Sequence, residues 1–250
     1  MSGHSKWSQI KRQKGITDAK RGQLFTKLAR EIVISAKQGG GDPAGNSRLR
    51  LAIQRARDGN MPVDNIERAI KRGSGDGGGA AELVEIVYEG YSAGGAAVYV
   101  QAMTDSRNRA VSEIRRVFTR NGGSLAEAGC VAWIFESKGV INAETGDADE
   151  DSLTMAAIDA DAEDVKTEGE SLEVYASAER LEAVRSALEE HGATISSSEV
   201  QMVPTTLAPL DSSAARQTLR LLDLLEELED VQKVYTNADF PDAVLSEVAS

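Results

Sequence analysis

The chain has 250 residues, of which 41% are hydrophobic, 27% charged and 4% aromatic. That reads as a soluble globular protein whose cores rest on Val, Ile, Leu and Ala. No run of about 18 apolar residues occurs, which argues against a membrane span, and the single cysteine, Cys130, excludes an internal disulfide and fits a reducing cytoplasm. The net charge of -12 hides a split: residues 1–72 carry 16 basic and 6 acidic side chains, the remainder 12 basic and 34 acidic. A segregation this steep points to a basic module that meets polyanions, joined to an acidic body that repels them.

The first 37 residues hold nine Lys or Arg and two acids. No apolar segment follows the basic start, so it is read as part of a folded domain and not as a secretory signal. Thr17 or Asp18 can cap a helix that runs to about Gln38, where "GGGDP" stops it. Leu24, Phe25, Leu28 and Ile32 share one face of that helix, and Lys20, Lys27, Arg30 and Lys37 gather opposite. A second helix starts near Asn46 or Ser47 with Leu49, Ile53 and Ala56 as its apolar stripe. A third follows "MPVDN", with Asp64 as its expected cap and Lys71 and Arg72 near its C-terminal end, where cations suit the helix dipole. "GSGDGGGA" (73–80) then reads as a flexible linker on which the helical module can swing. Gly73, Gly75 and Gly78 fit a GxGxxG pattern, but a helix precedes them where a dinucleotide fingerprint needs a strand.

Beyond the linker the period changes to two. "ELVEIVYEGY" and "AAVYVQAMT" predict a hairpin through "SAGG". "SRNRAVSEIRRVFTRNGG" predicts an amphipathic helix capped by Ser106. "VAWIFESKGVINA" reads as two short strands around Lys138–Gly139. A helix near Asp151–Ala160, a strand at "SLEVYAS", a helix at "AERLEAVRSALEEHG" and a strand at "ATISSSEVQMVP" follow. "DSSAARQTLRLLDLLEELED" is the strongest amphipathic helix, "VQKVYTN" is a last strand, and the final residues are expected to fray. Helices on one face of antiparallel sheets make an α+β class.

The stretches "GHSKW", "DAKRGQLFTKLAREI", "NMPVDNIERAIKRG", "YEGY", "TDSRNRAVSEIR" and "FTRNGGSL…VAWIFE" resemble the YebC-type family over about residues 2–240. The resemblance implies a helical N-terminal domain followed by two α/β domains, one inserted in the other. The corresponding boundaries are 1–75 for a basic helical domain, 80–130 with 204–240 for a discontinuous α/β domain, and 131–203 for an inserted acidic one. Members are described as cytoplasmic transcriptional regulators that bind DNA, and others as translational activators that bind ribosomes, with no established catalytic chemistry. Gln13 departs from the family's commoner basic residue or His, among cations that make the change small.

The candidate nucleic-acid contacts are Lys6, Lys11, Arg12, Lys14, Lys20, Arg21, Lys27 and Arg30, followed by Arg109 and Arg116 on a second, smaller stripe that also carries Arg120, and by Arg107, which flanks it with Arg115. Such cations contact phosphates and release counterions without reading sequence. The bland alternative for either set is a solvated charged face. Trp7 can stack on a base or anchor the basic arm, and packing is the preferred reading. Composition does not separate promoter DNA from ribosomal RNA or the ribosome as partner. Neither a compelling helix-turn-helix nor an aromatic RNA-binding sheet stands out, and a scaffold for basic proteins is a further reading. No catalytic, cofactor or metal set is expected. His4 and His191 lie far apart, Cys130 reads as a buried, inert thiol, and Asp159, Asp161, Glu163 and Glu170 match calcium-loop spacing with Asp164 where the loop needs glycine. A small-molecule substrate and a membrane partner are likewise not expected.

Overall fold

The computed structural model describes residues 18–75, 83–146 and 148–249. These divide into two compact units, one of residues 18–132, 210–236 and 240–249, the other of 133–209 and 237–239. The class is α+β as expected, with a helical region ahead of two α/β domains, one interrupting the other in sequence. Among the described residues no helix is long and apolar enough to cross a membrane.

The helical region consists of α1 (Asp18–Gly39), α2 (Ser47–Asp58) and α3 (Val63–Gly73). Leu28 and Ile32 of α1, Leu49, Ile53 and Ala56 of α2, and Ile66 and Ala69 of α3 form one core with Leu83 and Met103. Asn46 sets the corner between α1 and α2. Its side-chain oxygen accepts from Leu49 N at 3.0 Å, capping α2, while its amide donates to Ser35 O and Gly40 O at 2.8 and 2.9 Å. Helix α3 ends against α1 at Gly73, where a Cβ would sit 2.4 Å from Val33 O. Asp64 is not the cap of α3: Pro62 holds that place with no side-chain bond, and its fixed φ starts the helix instead.

Strands β1 (Val84–Tyr91) and β2 (Ala97–Thr104) form the predicted hairpin, followed by α4 (Arg107–Arg120) and the short β3 (Ser124–Leu125). After the second unit, α7 (Ser212–Glu226), β9 (Val231–Thr236) and α8 (Asp242–Ala249) complete the first. The sheet order is β3-β1-β2-β9, all neighbours antiparallel. Helix α4 approaches the sheet closely because Gly90 leaves room for Phe118; a Cβ there would lie 2.8 Å from its ring. Up to Glu247 the C-terminal segment is packed: Val244 and Leu245 are buried, and Arg216 holds Glu247 at 2.7 Å.

The second unit holds β4 (Phe135–Glu144), α5 (Glu150–Asp159), β5 (Asp164–Glu168), β6 (Ser171–Ala176), α6 (Leu181–Glu190), β7 (Thr194–Pro204), β8 (Ala208–Pro209) and β10 (Ala238–Asp239). Its main sheet runs β5-β6-β4-β7, over a core of Ile141, Leu153, Leu172, Val174, Val184 and Leu188. "VAWIFESKGVINA" is one strand after a short 3₁₀ turn, not two. Gly139 stays in the ladder opposite Ala176 and Val200, and it is small because a Cβ would meet Leu181 Cδ1 at 2.9 Å. The tract with calcium-loop spacing runs into β5, and its acids serve local pairs: Asp161 with Arg180 at 3.0 Å and Glu163 with Lys138 at 3.1 Å.

Candidate nucleic-acid interface

Of the sequence-predicted contacts, Lys6, Lys11, Arg12 and Lys14 lie outside the described residues, as do His4 and Trp7. Lys20 belongs to the first turn of α1, and Arg21 is exposed beside it. The other cations fall into two groups according to whether the protein's own oxygens already hold them.

Lys27 and Arg30 are held. The wheel places them opposite the apolar stripe, and in the fold that side of α1 meets the segment between α7 and β9. Lys27 Nζ donates to Glu226 O at 2.6 Å. Arg30, with a side chain 14% exposed, donates to Asp230 Oδ1 at 2.9 Å, to Glu229 O at 2.6 Å and to Met103 O at 3.3 Å. Arg109 arrives from α4 and donates to both oxygens of the same carboxylate, at 3.0 and 2.9 Å, and to Asp105 at 2.7 Å. Thr104 Oγ1 adds a donor to Asp230 at 2.9 Å. The hydrogen bonds to Asp105 and Asp230 hold the Arg109 guanidinium above its ordinary value, and Arg109 holds Asp105 below its own. These contacts fasten α1 to the sheet, so the helical region does not swing freely as the glycine stretch suggests. Arg55 pairs with Glu31 at 2.7 Å and Arg48 with Glu85, which fasten α2 in the same manner.

The second group is exposed and makes no ion pair among the described residues. It comprises Arg57 on α2, Lys71 and Arg72 on α3, Arg107, Arg115, Arg116 and Arg120 on α4, and Arg220 on α7. Arg107 offers only its carbonyl, which accepts from the Tyr88 hydroxyl at 3.5 Å. Arg68 and Arg72 line a cleft of about 540 Å³ between α1 and α3 with Phe25, Ala29, Val33 and Met61, and with the acids Asp105 and Glu229. Sequence reasoning named Lys71 and Arg72 only for the dipole and passed over Arg220. Their place on the polar side of amphipathic helices is legible in sequence, but with Glu67 at i−4 from Lys71 and Asp223 at i+3 from Arg220 the sequence does not show that they stay unpaired.

Burial and the nearby Glu89 charge push the Cys130 thiol up, away from thiolate chemistry. The His191 ring stays on its own helix end, with Nδ1 2.8 Å from Ala187 O. Glu89, 4% exposed, spends its carboxylate on the backbone N–H groups of Gly129, Val131 and Ala132 at 2.7, 2.7 and 2.8 Å.

Comparison with known proteins agrees along the whole chain. Residues 5–76 match the family profile described as "TACO1/YebC protein N-terminal domain", and residues 83–238 match "TACO1/YebC second and third domain". A "probable transcriptional regulatory protein" of Dehalococcoides mccartyi is 56% identical over 250 residues, covering 100% of this chain and 99% of the relative. One of the same description from Rubrobacter xylanophilus is 51% identical over 249 residues, with 100% of each chain covered. A crystal structure of a conserved hypothetical protein from Aquifex aeolicus superposes with a TM-score of 0.81 at 44% identity, over 90% of this chain and 92% of that one.

Proposed function

We propose that this chain, which belongs to the TACO1/YebC family, is a non-enzymatic, cytoplasmic nucleic-acid-binding regulator of gene expression that acts on DNA as a transcriptional regulator. The relatives' descriptions as transcriptional regulatory proteins support the reading. The observation that carries it is the charge split, 16 basic to 6 acidic residues up to position 72 against 12 to 34 beyond. An anionic helix approaching such a molecule is drawn to the basic residues and repelled by the acidic ones. Lys6, Lys11, Arg12, Lys14, Lys20 and Arg21 carry the main contact, continued by the open Arg57, Lys71 and Arg72. Lys27, Arg30 and Arg109 shape the surface by holding α1 and α4 on the sheet, since their guanidinium and ammonium groups are occupied. Phosphate contacts of this kind set affinity and register, and sequence choice then rests on groove contacts or DNA shape.

The test is binding of labelled duplex DNA, single-stranded RNA and purified ribosomes across a salt series. A steep salt dependence with preference for particular duplex sequences is expected. Reversal of Lys11, Arg12 and Lys14 to Glu is expected to weaken binding by orders of magnitude with the thermal midpoint unmoved. Preference for ribosomes over duplex DNA would move the reading to translation, and unaltered affinity in the triple variant would remove the arm from it.

A further inference from the structure

Beyond Arg109, α4 carries a second set of cations that pair with no acid among the described residues. Arg116 and Arg120 stand four residues apart, one helical turn, on the side of α4 away from the buried Ile114 and Phe118. Arg220 comes from the neighbouring α7. Together they line a cleft of about 700 Å³ with Val117 and Leu224 as its apolar floor and Glu227 as its one acidic lining residue. All three arginines are exposed and none makes an ion pair among the described residues.

Beyond residue 73 acids outnumber bases almost three to one; Arg109, Arg180, Arg185 and Arg216 have each taken a carboxylate, whereas these three, like Arg107 and Arg115 on α4, have none among the described residues. Like charges one turn apart on a helix repel by a few tenths of a kcal/mol. Convergence of three guanidinium groups in an acidic surrounding is therefore held against both repulsion and the supply of acids. The three are arginines, whose planar forks match a phosphate bidentately where lysine offers a point charge. The floor is apolar, which suits the sugar and base edge that accompany a phosphate and offers nothing to a hydrated inorganic ion.

We infer that Arg116, Arg120 and Arg220 form a second phosphate-binding cleft between α4 and α7 that holds the backbone of the bound nucleic acid, separate from the N-terminal basic segment. This rests on the nucleic-acid reading above. Arg116 was recognisable as a candidate in the sequence; the site itself exists only because α7, about 100 residues further on, brings Arg220 to it.

The experiment uses the full chain with Arg116, Arg120 and Arg220 all changed to Ala, beside a variant with all three changed to Lys, in the same salt series on duplex DNA and single-stranded RNA. Each phosphate contact contributes about 0.7 to 0.9 to the slope of log affinity against log salt. The Ala variant is expected to lose about 2 to 3 from the slope and about tenfold in affinity at low salt. The Lys variant is expected to keep the slope and lose part of the affinity. Thermal midpoints close to that of the unchanged chain confirm that the fold is intact, since none of the three side chains is buried or paired. An unchanged slope in the Ala variant, with the unchanged chain binding normally and the Lys11, Arg12 and Lys14 reversal still effective, overturns the cleft and leaves the functional reading standing. No salt-dependent binding of either nucleic acid by the unchanged chain removes both. Poly-glutamate binding through these arginines as tightly as RNA of equal charge overturns the phosphate assignment.

Discussion

Asp230 accepts hydrogen bonds from Arg30, Arg109 and Thr104 with a side chain only 4% exposed. A buried carboxylate with two guanidinium partners is favourable only while all are present, because each charge has given up water for the others. Asp230→Ala is therefore expected to cost about 3 kcal/mol, read as a lower urea midpoint. Asp230→Asn should cost less, since its oxygen still accepts one bond. Arg57→Ala, at an exposed cation with no ion pair among the described residues, should stay within about 0.5 kcal/mol of the unchanged chain. Two neighbouring carboxyls set a pH dependence. The hydrogen bond and charge of Arg109 hold Asp105 below its ordinary value. Burial pushes Glu85 up, but Arg48 outweighs it and the net shift is also downward. A carboxyl that titrates lower folded than unfolded contributes stability that is complete above the unfolded value near about 4 and is lost as the pH falls through the folded value. Urea midpoints measured from pH 6 to pH 3 should drop in that window, and the drop should be shallower in an Asp105→Asn, Glu85→Gln double variant. Of this pairing only Asp105 with Arg109, four residues apart, is local in sequence. Arg30 and Asp230 stand 200 positions apart, and a helical wheel shows only that Arg30 faces away from the apolar stripe, not that a second surface waits there.

At the scale of elements, the sequence was most legible where a local signal and the tertiary environment agree. Asn46 caps α2 as expected because an Asx oxygen at that position satisfies an orphan N–H whatever packs nearby. The same side chain also gives two donors to the end of α1, which no capping pattern announces. Asn46→Ala is expected to cost about 2 kcal/mol, the upper end for a cap, with faster amide exchange in the turn between the two helices. Elements were missed where composition opposes the outcome. Strand β5, "DVKTE", is polar because it is the edge of its sheet and pairs only with β6; charged residues on an edge discourage further pairing. Strand β4 seemed broken because glycine usually marks a turn, whereas Gly139 marks the close approach of α6. Helix α8 is short, and burial of Val244 and Leu245 together with the Arg216–Glu247 pair holds it. Gly73 was legible as a break but not as a contact. Gly73→Ala should force α3 away from Val33 and destabilise the helical region by about 1 to 3 kcal/mol, seen in thermal unfolding.

For the whole molecule, the same separation of charge that was plain from residue counts governs how a polyanion reaches it. Pairing inside the fold blunts the separation: α1 and α4 spend Arg30 and Arg109 on the protein's own acids, so the available positive field comes from fewer groups than the count suggests. The acidic residues act on the approaching ligand mostly at a distance, through a field that salt screens over about 30 Å at 0.01 M and about 8 Å at 0.15 M. Glu144, Glu179 and Glu190 are exposed, unpaired among the described residues and belong to the second unit. Replacing all three with Gln raises the net charge from -12 to -9 and removes no structural contact, so stability should hold within about 0.5 kcal/mol per site. Association with duplex DNA should then quicken several-fold at 0.01 M salt, because repulsion on approach is relieved. Dissociation should change little, since no contact with phosphate is altered. At 0.15 M salt the difference should vanish in stopped-flow traces. An acceleration that persisted at 0.15 M would mean that these acids lie against the bound nucleic acid, and the acidic unit would then be part of the interface and not a repelling body beside it.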